Sequence, residues 1–162
     1  MIWSLLAKTF DVFALSLKDR NAVNAHRERI YEELGKNLRN VELFLKKHPS
    51  PQIEPQYHDE FERLINLLSR DRFDKMSDAG YSPSQFFPEF LSLPDKGRAK
   101  VGDGTRQYLL WMKRNTTVGD LLRRYHERIE TIKIELETEK RVNVGYLRFI
   151  LSVLRKSIVL EK

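Results

Sequence analysis

The sequence predicts an all-α protein, an antiparallel helical bundle of four to five long helices with a short aromatic-rich helical turn in the central connector. Three observations carry this. Apolar residues recur at alternating steps of three and four along several stretches, the spacing of one helix face. No stretch alternates apolar and polar residues as a half-buried strand does. The chain has 162 residues, 41% apolar and 32% charged, which suits one globular domain, residues 1–162, with a heavily charged surface.

Residues 1–17 read MIWSLLAKTFDVFALSL. As a helix they put Ser4, Lys8 and Asp11 on a narrow polar strip that continues to Lys18, while Trp3, Leu6, Phe10, Phe13 and Leu17 cover most of the rest. Lys8 and Asp11 each cost about 2.5–3.5 kcal/mol at the centre of a membrane-spanning helix, which argues against a span. A basic start and a small-residue cleavage site, the marks of a secretory signal, are missing. Trp3, Leu6, Phe10, Phe13 and Leu17 are therefore the candidate interaction surface, for a bundle face, a second copy, or a membrane surface in which the helix lies flat.

Residues 18–26 are polar and form either a turn or a wet waist in a continuous helix. Over residues 27–47, Ile30, Leu34, Leu38, Val41 and Leu45 make a stripe that Tyr31 and Phe44 widen. His48-Pro49-Ser50-Pro51 ends it, because proline lacks a donor and disfavours helix in the residue before it. A second amphipathic helix is expected from residue 55 to about 75. Pro55 suits a first turn, acids lie near the positive end of the dipole, and Tyr57, Phe61, Leu64, Ile65 and Leu68 form the buried face.

Residues 76–104 are a connector rich in glycine and proline. Ser82 is placed to cap a turn or two carrying Phe86, Phe87, Phe90 and Leu91, aromatics that need a dry environment. Residues 105–140 carry the longest stripe: Tyr108, Trp111, Asn115, Val118, Leu122, Tyr125, Ile129, Ile132 and Leu136. Unbroken, this helix would span about 54 Å. Its weak point is residues 115–120, where β-branched residues and Gly119 lower helix propensity, so either a kink or a polar layer is expected, with Thr117 a candidate cap. Residues 141–144 make a tight connection with Asn143 as cap. The last helix turns Leu147, Ile150, Leu151, Leu154 and Ile158 inward and Arg148, Arg155 and Lys156 outward, closing an antiparallel hairpin.

The chemistry is narrowed by what is missing. There is no cysteine, so disulfides and thiolate metal sites are excluded. The histidines are His26, His48, His58 and His126, and none has glutamate three residues before it, as a carboxylate-bridged di-iron bundle requires. His58–Glu62 and His126–Glu130 sit four apart, a two-ligand spacing that arises often on charged helices; no metal and no cofactor is expected. The net charge is +6 and uneven: four bases face nine acids over residues 51–95, and eight bases face two acids over 96–125. Lys96, Arg98, Lys100 and Arg106 flank glycines ahead of a helix start and are the candidate anion-binding group. Asp103 and Gly104 follow Gly102 where a phosphate-binding loop needs lysine and a hydroxyl, which argues against nucleotide hydrolysis there.

One catalytic pattern remains, Arg20-Asn21-Ala22-Val23-Asn24-Ala25-His26. These seven residues resemble the arginine, polar residue, spacer, histidine signature of HEPN-type ribonucleases. The resemblance implies an all-helical, dimeric domain in which Arg20 stabilises an RNA phosphate, Asn21 orients the pair, and His26 handles the 2′-hydroxyl or leaving-group proton.

The leading expectation is a non-enzymatic, cytoplasmic interaction or assembly module with coiled-coil-type seams, partnered with itself as a homo-oligomer or with another helical protein. The first alternative is an HEPN-like RNA-cleaving or RNA-binding domain using Arg20, Asn21 and His26. The second is a peripheral membrane protein held by residues 1–17.

Overall fold

The computed structural model describes residues 20–91, 116–138 and 141–158. They are mostly helical, with one two-stranded pairing, consistent with the all-α expectation. In order they form α1 (Arg20–Lys47), β1 (Gln52–Ile53), a 3-10 turn (Pro55–Tyr57), α2 (His58–Asn66), α3 (Asp71–Asp78), α4 (Pro83–Phe86), α5 (Val118–Thr138), β2 (Val142–Asn143) and α6 (Gly145–Ser157). α5 packs along α6 and also meets α2 and α4, while α1 packs on α2 and α3. Every helix contributes to one buried cluster: Leu34 and Leu38 from α1, Phe61 from α2, Met76 from α3, Phe86 from α4, Leu122 and Tyr125 from α5, Leu147 and Leu154 from α6. Each such side chain stabilises the fold by roughly 1.5–3 kcal/mol. Among the described residues no helix is long and apolar enough to cross a membrane.

α1 runs on through the polar waist and is already helical at Arg20, the first described residue. The helix expected from residue 55 to about 75 is corrected: it breaks at residues 67–70 into α2 and α3. α1 holds the break open. Asn37 donates its side-chain amide to the Ser69 carbonyl at 2.6 Å and accepts the Ser69 N–H at 3.3 Å. One turn earlier, the Glu33 carboxylate accepts the Ser69 hydroxyl (3.0 Å) and the Arg72 and Phe73 N–H groups (3.0 and 3.4 Å), capping α3 from another helix. At its other end α3 closes on Gly80 with φ +88°, where Gly80 N–H reaches Ser77 O and Tyr81 N–H reaches Met76 O, the paired bonds of a left-handed helix stop.

The weak point expected at residues 115–120 is a break at Thr117, while residues 105–115 lie outside the described residues. Thr117 forms an extended bridge with Phe90, and α5 starts only at Val118. The first amides of α5 find external acceptors: Val118 N–H donates to Glu89 O (2.8 Å) and Gly119 N–H to Phe87 O (3.1 Å). Thr117 caps, accepting Asp120 N–H on its hydroxyl at 3.2 Å, while Asp120 accepts back from Thr117 N–H at 3.4 Å. Ser84 of α4 joins through its hydroxyl to Thr117 (3.0 Å) and Asp120 (3.1 Å). Gly119 is required by this junction, since any Cβ would collide with the Pro83 carbonyl and the Ser84 amide. Tyr108, Trp111 and Asn115 of the expected stripe lie outside the described residues.

α4 carries the expected Ser82 cap, reciprocated by Gln85. Phe86, Phe87 and Leu91 are buried, whereas Phe90 is 65% exposed. A short antiparallel pair, Gln52 with Asn143 and Ile53 with Val142, ties the chain after α1 to the chain before α6. Two residues per strand are too few to show as alternation. Asn143 accepts Gly145 N–H at 2.8 Å on its side-chain oxygen, capping α6 from one position before the N-cap residue Val144. Arg148 and Arg155, expected to face water, instead clamp α6 to α1. Arg148 donates to the Leu45, His48 and Ser50 carbonyls, and Arg155 grips Glu42 with bonds of 2.9 and 2.8 Å.

Candidate functional site

Two clusters of polar side chains stand apart from the scaffold. The first surrounds His126. The α5 stripe buries Tyr125, and the next residue, His126, falls beside it, packed on Phe73 of α3 with ring centroids 4.2 Å apart. His126 is 7% exposed and makes no hydrogen bond among the described residues. It lines a half-open cleft of about 430 Å³ shared with Arg70, Phe73, Ser77, Arg123, Glu127 and Glu130. Burial, reinforced by the charge of Arg70, pushes its pKa down to about 3, so the ring is neutral at physiological pH. A proton shuttle needs a pKa near the working pH, so this imidazole is suited to hydrogen bonding rather than to acid–base chemistry near neutrality. The cleft's charges are already matched: Arg123 bonds Glu127 at 2.7 Å, and Arg70 bonds Asp74 at 2.9 Å and Glu130 at 3.5 Å.

The metal spacings gain no third ligand. Glu130 accepts from Arg70 and Lys133. His58 has its Nε2 3.0 Å from the Ile53 carbonyl oxygen, and among the described residues no three potential ligands converge.

The second cluster lies on the edge between α1 and α3. His26, Arg29 and Glu33 follow one another by three and four along α1, hence down one side of the helix. Because Glu33 caps α3 at Arg72 and Phe73, this side of α1 is held against the start of α3. His26 meets Phe86 edge-on at 5.7 Å. Partial burial, then the charges of Arg29, Arg72 and Lys75, hold its pKa below the ordinary histidine value. The charges of three cations from two helices thus act on one imidazole. None of the three has a side-chain hydrogen bond or ion pair among the described residues. Their neighbour Arg27 differs: it pairs with Glu89, and its guanidinium lies 5.1 Å from the centre of the Phe87 ring.

Of the residues singled out in the sequence, His26 is on this edge. Arg20 and Asn21 lie on the described part of α1, with side chains outside the described residues. Their backbone positions lie roughly 120° and 140° around the helix axis from His26, so the three do not share a helix face. Lys96, Arg98, Lys100 and Arg106 lie outside the described residues, as do Trp3, Leu6, Phe10, Phe13 and Leu17. Sequence reasoning missed Arg29, Arg72 and Lys75. The three-residue step from His26 to Arg29 was legible; the approach of α3 was not, because it depends on Glu33 reaching across to another helix. No protein-family model, curated protein or solved structure matches this chain.

Proposed function

We propose that this chain is a non-enzymatic interaction module, an antiparallel helical bundle whose binding face is the cationic α1–α3 edge. The observation that supports it is the docking of the α1 side that carries His26 and Arg29 against the start of α3, the helix that carries Arg72 and Lys75, with no side-chain acceptor for the three cations among the described residues. Glu33 on this edge is committed to capping α3, and an anionic partner relieves the mutual repulsion of the three cations. The module acts in the cytoplasm, and Trp3, Leu6, Phe10, Phe13 and Leu17 supply its apolar contact with a second copy or another helical protein. Heparin affinity chromatography of the full chain tests the edge. The Arg29→Glu/Arg72→Glu/Lys75→Glu variant should elute at clearly lower salt than the parent. Equal elution of the two would remove the edge as the binding face.

A further inference from the structure

We infer that the α1–α3 edge binds single-stranded nucleic acid, with Arg29, Arg72 and Lys75 on backbone phosphates and Phe90 as a stacking platform for a base. This rests on the edge being the binding face and adds the identity of the partner. The cations alone would suit any polyanion; Phe90 narrows the choice. Phe86 touches His26, and Glu89 pairs with Arg27, so the segment leading to Phe90 runs along the same end of α1 as the cations. Phe90 is 65% exposed, although Phe86, Phe87 and Leu91 around it are buried. Its backbone is not free to turn inward. The bridge to Thr117 and the bonds Leu91 N–H to Thr116 O and Val118 N–H to Glu89 O fix the segment on both sides of it. An aromatic ring held in water toward the same end of α1 as cations that are unpaired among the described residues matches what unpaired bases require: a positive track for the phosphates and an apolar face for a base. An acidic protein surface would use the cations and leave the ring idle. A duplex keeps its bases stacked on one another, so it too gains nothing from Phe90.

Fluorescence anisotropy on the full chain tests this, with a labelled mixed-sequence single-stranded RNA and a duplex of the same sequence. The single strand should bind more tightly than the duplex. Its log affinity should fall against log salt with a slope of about −2, the value for three phosphates on a single strand. Arg29→Ala/Arg72→Ala/Lys75→Ala should weaken binding about tenfold or more and flatten that slope. Phe90→Ala should weaken it about fivefold or more and leave the slope unchanged. The three side chains make no hydrogen bond or ion pair among the described residues, so the triple variant should keep the parent's circular dichroism. The inference is overturned if Phe90→Ala binds like the parent, or if the loss appears in Lys96→Ala/Arg98→Ala/Lys100→Ala/Arg106→Ala and not in the edge variant. If heparin retention depends on the edge but the RNA does not bind, the nucleic-acid identity falls and the binding face stands. If heparin retention is indifferent to the edge, both fall.

Discussion

The two ends of α1 meet arginine differently. At the C-terminal end, Arg148 donates to the Leu45 carbonyl at 3.0 Å, to His48 at 2.5 Å and to Ser50 at 3.1 Å, covering the negative end of the helix. Arg155 holds Glu42 two-pronged, the geometry that suits guanidinium and carboxylate best. At the N-terminal half, the charges of Arg29 and Arg72 act on the same imidazole, and neither side chain has an acceptor among the described residues. Composition counts all four alike. What separates them is whether the fold supplies an acceptor, and that divides arginines that hold the structure from arginines left for something else.

The comparison breaks most visibly at Arg148. Arg148→Ala strips three carbonyls of a charged donor and should cost about 3 kcal/mol, since hydrogen bonds to charged groups contribute roughly 1.5–3 kcal/mol each and water replaces part of the loss. Urea unfolding followed by circular dichroism reads this. A change below about 0.5 kcal/mol, the ordinary range for a surface residue, would place Arg148 with the edge arginines.

His126 sharpens the contrast by separating burial from charge. Its folded pKa of about 3 lies below the ~6.5 of an unfolded imidazole. Between those values the unfolded chain takes up a proton that the folded chain refuses. Stability therefore falls as pH drops from about 6.5 toward 3, by up to roughly 1.4 kcal/mol per unit, and this contribution is flat above and below that window. Carboxylates titrate there too, so the informative quantity is the difference between the parent and His126→Leu. The variant should gain about 2 kcal/mol relative to the parent between pH 7 and pH 5. A constant difference across those pH values would mean that His126 titrates like an exposed histidine.

Much of the fold was legible because it is local. The stripes over Ile30–Leu45, Leu122–Leu136 and Leu147–Ile158 are buried as spacing alone indicates. Ser82 and Thr117 cap where their residue types and positions place them. What escaped is long-range. Nothing between residues 55 and 75 announces the break at 67–70, because Asn37 and Glu33 impose it from another helix. Arg148 and Arg155 sit on the polar side of α6 by spacing, and only the approach of α1 makes them clamps. The candidate site behaves the same way: His26 and Arg29 are a step of three apart in sequence, while Arg72 and Lys75 arrive through α3 docking. Gly119 is a mixed case. Its low helix propensity marked a weak point, but the reason for a glycine there is the Pro83 carbonyl lying over it.

The smallest expected effect is the most telling. Arg29→Ala and Arg72→Ala, singly or together, should change stability by less than about 0.5 kcal/mol, because neither side chain makes a hydrogen bond or ion pair among the described residues. Their effect should appear instead at His26. Its pKa is depressed by burial first and by these charges next, so removing them should move it back up toward the ordinary histidine value without fully restoring it. An NMR titration of the His26 ring protons in parent and variants reads the shift directly. Charge is the whole of the difference, so Arg29→Lys should leave the titration near the parent's, whereas Arg29→Gln should move it as alanine does. If instead the alanine variants unfold more easily by over 1 kcal/mol while His26 titrates unchanged, these arginines belong to the scaffold like Arg148, and the α1–α3 edge loses its claim to be a surface kept for a partner.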